Sequence, residues 1–191
     1  MAFPPQHASS PGDNPDERFD LIDLDDRVIG QVRRGNAHRN PALLHRSVQI
    51  LVFDARNRLL LQRRSAHKDL FPGYYCASAS GHVAVGEDYA TTAAREVSEE
   101  LGVALPLTYL EKTLVRSEME TEMTAIFAAR SDGPFHFHPT ETDGGDFFSL
   151  ADIHVGRADG TLPMTPALLA ALDLLASYEK DGNISKILAE L

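Results

Sequence analysis

Glutamates are crowded into one short stretch of the sequence, GHVAVGEDYATTAAREVSEELGV at Gly81–Val103. Glu96, Glu99 and Glu100 lie within five positions of one another, and like charges at such spacings repel. One interpretation is a solvated acidic face of a helix, with Arg95 beside it. The other is a cation site, because Mg²⁺ and Mn²⁺ prefer oxygen ligands and would supply the missing opposite charge.

The stretch that carries these glutamates has the start and stop signals of a helix. Asp88 can cap the first turn and Gly102 can end the last one, which predicts a helix over 89–101. Positions three and four apart share a helix face, so the three glutamates are expected to point the same way. Near the C-terminal end they oppose the helix macrodipole, which favours cations there. This uncompensated repulsion favours the cation site over the solvated face.

The spacing of this stretch resembles the Nudix box at every specified position: Gly, five residues, Glu, seven residues, then Arg-Glu-aliphatic-any-Glu-Glu-any-Gly-aliphatic. The matching positions are Gly81, Glu87, Arg95, Glu96, Val97, Glu99, Glu100, Gly102 and Val103. The resemblance implies a Nudix hydrolase that uses Mg²⁺ or Mn²⁺ to cleave a small-molecule diphosphate substrate. The roles that it implies are Glu96, Glu99 and Glu100 as metal ligands, the Gly81 carbonyl as a helper, and Glu87 and Arg95 as orienting residues.

A narrower resemblance lies outside this box. The segments HRNPALLH, LLLQRRSAHKDLFPG, SGHV and ETEM are similar to isopentenyl diphosphate isomerases and their hydrolase-like relatives. In that branch two histidines seven apart, a Gly-His pair and a Glu-any-Glu pair build one metal site, and such a donor set suits Mn²⁺ or Zn²⁺ better than Mg²⁺. The residues of this chain that match that metal site are His38, His45, His82, Glu120 and Glu122. The other interpretation is that these histidines are scattered over the surface.

Three departures set this chain apart from the isomerases. Ser80 replaces the acid–base cysteine that precedes the Gly-His pair, and the single Cys76 lies four residues upstream. A serine hydroxyl is a far poorer acid–base group than a thiol. The chain has no tryptophan to shield a carbocation, and Ala167 occupies the corresponding region. With an intact box, these departures favour hydrolysis of a nucleoside diphosphate derivative or related organic diphosphate. An isomerase and a weakly catalytic ligand sensor are the alternatives.

Basic residues at the end of the predicted strand LLLQRR are candidates for binding the diphosphate. Arg63, Arg64 and Lys68 are the expected substrate-binding residues, because a guanidinium fork fits phosphate oxygens. An ordinary basic loop is the other interpretation. In the late loop SDGPFHFHPTETDGGD, Glu141 is a general-base candidate by the Nudix resemblance, but Glu141 and His138 are interpreted as exposed surface residues.

Composition limits the classes of partner. The chain of 191 residues has a formal net charge of −10 and no long basic stripe, which disfavours nucleic acid. No apolar run is long enough for a membrane helix, and the N-terminus lacks the pattern of a signal peptide. With one cysteine and hence no intrachain disulfide, a cytoplasmic monomer or homodimer is expected.

The elements that must position these residues follow no regular βαβ order. Hairpins are predicted at 19–34 and in SVQILVFDARNRLLLQRR, further strands in YYCASAS, LTYLEKTLVRS and EMTAIFAAR, and helices toward the C-terminus. This mixture predicts the α+β class or a mixed-sheet sandwich. The Nudix resemblance implies an α/β/α sandwich with a mixed β-sheet between helices. Residues 1–17, rich in Pro, Ser, Gly and Asp, are predicted to be a disordered tail, and 18–191 a single Nudix domain.

Overall fold

The computed structural model describes residues 14–68, 70–138 and 140–191, so most of the predicted tail lies outside the described residues. Within these ranges no helix is long and apolar enough to cross a lipid bilayer. The strands are β1 (Arg18–Ile22), β2 (Val28–Arg33), β3 (His45–Phe53), β4 (Leu59–Arg64), β5 (Tyr75–Cys76), β6 (Ala79–His82), β7 (Thr108–Arg116), β8 (Thr121–Arg130) and β9 (Thr142–Phe148). The helices are α1 (Arg34–Ala37), α2 (Tyr89–Leu101), α3 (Leu150–Asp159), α4 (Pro166–Lys180) and α5 (Ile184–Glu190).

A mixed sheet forms the centre of the fold, in the order β5-β4-β3-β8-β7, with β6 paired to β3 and β9 paired to β4. Strands β3 and β8 are parallel, and their register places His45 opposite Glu122. On its other side β3 is antiparallel to β6, with Ser47 opposite His82. These pairings bring histidines and glutamates that are far apart in sequence to the same end of the sheet. The hairpin β1–β2 forms a separate two-stranded sheet.

Helices cover both faces of the central sheet. On one face α4 packs in a buried cluster with Leu51 and Phe53 of β3, and on the other face α2 packs with Ile50 and Val52. Successive strand residues point to opposite faces, so a strand covered on both sides is apolar throughout. Burying each of these side chains contributes about 1.5–3 kcal/mol to stability. The predicted α+β class, with a mixed sheet between helices, is confirmed.

Helix α2 has the limits that the sequence indicates. The Asp88 side chain accepts a hydrogen bond from Thr91 N at 2.7 Å, which caps the first turn. Gly102 ends the helix in the left-handed conformation, at φ 67°, which a residue without a Cβ adopts at little cost. The glutamates therefore occupy the last two turns of a helix whose start and end are both fixed locally.

The turn of the hairpin β1–β2 is tied to α2 and to the central sheet through Asp26. Its Oδ1 accepts from Arg46 Nε at 2.6 Å and from Tyr89 Oη at 3.2 Å, and its Oδ2 forms an ion pair with Lys112. Arg46 belongs to β3, Tyr89 to the first turn of α2 and Lys112 to β7. This network fixes the hairpin, whose flanking residues Glu17 and Arg34 line the cavity described next.

Candidate active site

One cavity of about 660 Å³ lies where α2, the segment around α1, and strands β3, β6 and β8 meet. Three groups of residues that were predicted separately from the sequence line this cavity together. They are Gly81, Arg95, Glu96, Glu99 and Glu100 from the box, His38, His82, Glu120 and Glu122 from the second metal-type set, and the basic residues Arg64 and Lys68.

Arg95 holds two of the three glutamates of α2 in place. Its Nη1 donates to Glu96 Oε1 at 2.8 Å and to Glu99 Oε2 at 3.1 Å. Its Nη2 donates to Glu87 Oε2 at 3.2 Å, and Glu87 also accepts from Thr92 Oγ1 at 2.9 Å. Glu87 therefore acts on the cavity through Arg95. Glu99 differs from Glu96 in that 58% of its side chain is exposed to solvent.

Gly81 leaves the space that the Glu96 carboxylate occupies. A Cβ at this position would overlap the carboxylate, of which even the most distant atom would be 2.7 Å away. Glu96 is buried, so its carboxylate lies directly against the backbone of β6. The glycine is needed here for this close approach and not for an unusual backbone conformation.

Glu100 lies in the wall of the cavity with its carboxylate largely removed from solvent. Gln62 Nε2 donates to Glu100 Oε2 at 2.7 Å. Burial, reinforced by the charges of Glu96 and Glu141, raises the pKa of Glu100 to about 8. Burial likewise raises the pKa of Glu96 to about 7. Both carboxyl groups therefore retain protons near neutral pH that a bound cation would displace.

The five residues predicted as a second metal site converge and are called the His/Glu cluster below. His38 Nε2 lies 3.1 Å from His82 Nε2 and 3.3 Å from Glu120 Oε2. Glu122 Oε1 lies 3.1 Å from His82 Nε2 and 4.0 Å from His45 Nε2. One ligand atom from each of the three histidines and from Glu120 falls within 4.8 Å of the others. The interpretation of these histidines as scattered surface residues is wrong.

The donor atoms of the His/Glu cluster fit a metal ion. Within the described part of the chain, His45 Nε2 and Glu120 Oε2 are buried and make no hydrogen bond, which is unusual for buried polar atoms. Burial, with His82 nearby, lowers the pKa of His38 to about 2, and burial lowers that of His82 well below 6.5. Both imidazoles are neutral, which is the form that binds metal. This nitrogen-rich set suits Mn²⁺ or Zn²⁺, and the carboxylates of α2 suit Mg²⁺ or Mn²⁺.

We expect the metal-free protein to lose stability as the pH rises from about 6.5 to about 8.5. Burial raises the folded-state pKa of Glu100 and of Glu120 to about 8, whereas the ordinary value is 4.5. The protonated forms of these two carboxyl groups therefore make their full contribution to the free energy of unfolding below the unfolded-state pKa of 4.5. This contribution is lost as the pH rises through the folded-state pKa of about 8. The lowered histidine pKa values act in the opposite direction, but only below about 6.5.

Thermal unfolding in EDTA and in Mn²⁺, at both ends of this pH window, tests the expectation. The melting temperature in EDTA should be lower at the higher pH, and Mn²⁺ should raise it more there, because fewer protons must be displaced. Glu190→Gln is the control, since Glu190 is exposed on α5 and should leave the profile unchanged. A metal-free melting temperature that stays constant or rises across the window would contradict the raised pKa values.

Two of the three predicted basic residues reach the cavity. Arg64 and Lys68 line it, and Lys68 Nζ donates to Glu141 Oε2 at 2.6 Å. Arg63 is exposed and is not among the residues that line the cavity. The structure therefore removes Arg63 from the candidate substrate-binding residues.

Other residues that line the cavity were either interpreted from the sequence as surface residues or not recognised as site residues at all. Glu141 and His138, interpreted as exposed loop residues, both line the cavity, and His138 N donates to Glu100 O at 3.3 Å. Arg34 and Glu17 line it as well, with Arg34 Nη1 at 3.3 Å from Glu17 Oε2. Each of them reaches the site through contacts between distant parts of the chain, which local patterns do not indicate.

The positions at which the chain departs from the isomerases face the site. Ser80 and Ala167 both line the cavity. Cys76 borders it too, but burial raises the pKa of its thiol to about 12, and its Sγ donates to Gln62 O at 3.7 Å. A thiol with that pKa stays protonated near neutral pH, so Cys76 is a poor replacement for the missing acid–base cysteine.

Known proteins resemble this chain over most of its length. A family model described as NUDIX domain matches residues 43–168. A Yersinia pestis protein named uncharacterized Nudix hydrolase is 34% identical over 172 residues, covering 90% of this chain and 92% of the relative. A Nocardia farcinica protein named isopentenyl-diphosphate Delta-isomerase is 32% identical over 171 residues, covering 86% of this chain and 98% of the relative. A solved structure from Deinococcus radiodurans has a TM-score of 0.71 at 28% identity, covering 80% of this chain and 96% of its own.

These similarities agree with the glutamate-bearing helix and with the mixed sheet between helices, so the Nudix fold expected from the box is confirmed. The names of the relatives are divided between hydrolase and isomerase and therefore fix neither the substrate nor the reaction. What they establish, together with the intact box on α2, is that this protein belongs to the Nudix hydrolase family.

Proposed function

We propose that this protein is a divalent-metal-dependent diphosphohydrolase that cleaves the diphosphate linkage of a nucleoside diphosphate derivative or related organic diphosphate. The observation that carries the proposal is the meeting of the box glutamates, the His/Glu cluster and two basic side chains in one cavity. A diphosphate requires this combination, because carboxylates alone would repel it and basic residues alone would not activate water.

Two sets of side chains would hold the metal ions. The first set is Glu96, Glu99 and Glu100 with the Gly81 carbonyl, and the second is the His/Glu cluster. Bound divalent ions offset the phosphoryl charge and lower the pKa of a coordinated water. The buried atoms His45 Nε2 and Glu120 Oε2, which make no hydrogen bond, and the raised pKa of Glu100 support ions at these places.

The chain's own residues bind and orient the reacting groups. Arg64 can present a guanidinium fork to two phosphate oxygens, and Lys68 adds a point charge beside it. Arg95 keeps the carboxylates of Glu96 and Glu99 in fixed directions through its Nη1 contacts. Glu141, held at the cavity wall by Lys68, is the candidate to take a proton from the attacking water.

An isopentenyl diphosphate isomerase is the second candidate, because relatives carry that name and the His/Glu cluster is complete. Moving a double bond needs an acid and a base on opposite faces of the alkene, with the intermediate cation shielded from water. Ser80 and Ala167 stand at the two positions concerned, and Cys76 stays protonated. Hydrolysis needs neither a thiol nor an aromatic shield, which favours the first proposal.

A hydrolysis screen with Mg²⁺ and Mn²⁺, in which the products are separated by chromatography, tests this choice, because cleavage of a nucleotide sugar or a dinucleotide gives two phosphomonoesters and no free phosphate. The panel should contain nucleotide sugars, dinucleotide cofactors, nucleoside triphosphates and prenyl diphosphates, the last also followed for deuterium exchange from solvent. We expect hydrolysis of at least one organic diphosphate and no exchange into the prenyl chains. Deuterium exchange without hydrolysis would establish the isomerase, and tight binding without any product would establish a ligand sensor.

A further inference from the structure

Gln49 places a polar side chain in the apolar centre of β3, between Val48 and Ile50. It lines the cavity and is 5% exposed. Within the described part of the chain, Gln49 Oε1 is buried and has no hydrogen-bond partner. Folded proteins rarely leave such an atom unpaired, and an aliphatic residue would satisfy the core at this position equally well.

The position of Gln49 on β3 separates it from His45 of the His/Glu cluster. It lies roughly 13 Å along β3 from His45, since each strand residue advances the chain by about 3.3 Å. Its neighbours across the sheet are Ser80 on β6 and Ile126 on β8. On the same face Ser47 Oγ is paired with Thr124 Oγ1 at 2.8 Å. The nearby hydroxyl is thus satisfied by the protein, whereas the Gln49 amide oxygen is not.

We propose that Gln49 determines specificity by hydrogen-bonding to the organic part of the substrate, which therefore carries an O–H or N–H group. This inference rests on the proposed diphosphohydrolase function and narrows its substrate class to polar diphosphates. An ionised phosphate offers no donor to Gln49 Oε1, and a prenyl chain offers only C–H groups. A sugar hydroxyl suits either orientation of the amide, because it both donates and accepts hydrogen bonds.

Binding of uncleavable ligands to Gln49→Leu tests the inference. Calorimetric titrations in Mn²⁺ would use methylene-bridged analogues of UDP-glucose, of ADP and of isopentenyl diphosphate. The substitution should weaken binding of at least one polar analogue by about tenfold, because one hydrogen bond is lost. It should leave the isopentenyl analogue within about twofold. The melting temperature should stay the same or rise, since the unpaired amide is gone.

The control is Gln31→Leu, which removes an exposed amide from β2, away from the cavity, and should change no affinity. The inference is overturned if Gln49→Leu leaves every polar analogue unaffected, weakens all three analogues alike, or lowers the melting temperature. It is also overturned if the wild type binds the isopentenyl analogue as tightly as the polar ones, or binds no polar analogue. Because these ligands are not cleaved, a failed hydrolysis screen would refute the proposed function, whereas the role of Gln49 is decided by the binding titrations alone.

Discussion

Glu100→Gln is expected to lower metal-dependent diphosphate hydrolysis by on the order of 10³-fold while the fold is retained. The amide oxygen of glutamine can still accept the hydrogen bond that Gln62 Nε2 makes at 2.7 Å. What the variant lacks is the negative charge that a carboxylate offers to a hard cation. The substitution therefore separates the charge of Glu100 from its shape.

Initial rates on the best diphosphate of the screen, with Mg²⁺ and with Mn²⁺, measure the loss. In EDTA the variant should be at least as stable as the wild type near pH 8, because repulsion of Glu100 by Glu96 and Glu141 is gone. Glu190→Gln, an exposed carboxylate on α5, should keep wild-type rates. A Glu100→Gln protein with nearly full turnover would show that Glu100 holds no catalytic ion.

The parts of the fold that follow local rules could be predicted from the sequence. Asp88 and Gly102 set the limits of α2 because capping and a left-handed helix end depend only on neighbouring residues. The hairpin β1–β2 and strands β3 and β4 followed from turn residues between apolar runs, whereas most of β9 lies in the segment interpreted as a loop. The parallel pairing of β3 with β8 could not be predicted from patterns, because it joins segments with no short connection. That pairing is what places His45 beside Glu122.

The candidate site likewise contains residues that the sequence indicates and residues that only the folded chain brings there. The sequence alone does not tell which of the neighbours Arg63 and Arg64 reaches the cavity, because β4 is irregular between Gln62 and Arg64 where it pairs with β9. Glu141 could not be placed, since its contact with Lys68 spans 73 residues and depends on how a long loop folds back. Gln49 did leave a signal, as the polar residue within SVQILVF, but only burial without a partner shows that it is unusual.

Gly81→Ala is expected to lower hydrolysis by on the order of 10²-fold, because it displaces the Glu96 carboxylate by steric overlap. Even the most distant carboxylate atom would be 2.7 Å from the new methyl group, well inside van der Waals contact. Overpacking of this kind also costs about 1–3 kcal/mol in the free energy of unfolding. Rates on the best diphosphate and denaturant unfolding measure the two effects.

Two companion variants isolate the cause of that loss. At Gly30 a Cβ would meet only Leu21 Cδ2, at 3.9 Å, so Gly30→Ala should leave the rate unchanged and should not lower stability. Glu96→Asp shortens the carboxylate and withdraws it from the space above Gly81, so adding Gly81→Ala to it should cost little more. If the two losses instead add up fully in the double variant, Gly81 acts independently of Glu96, and close approach of the carboxylate is not the reason for the glycine.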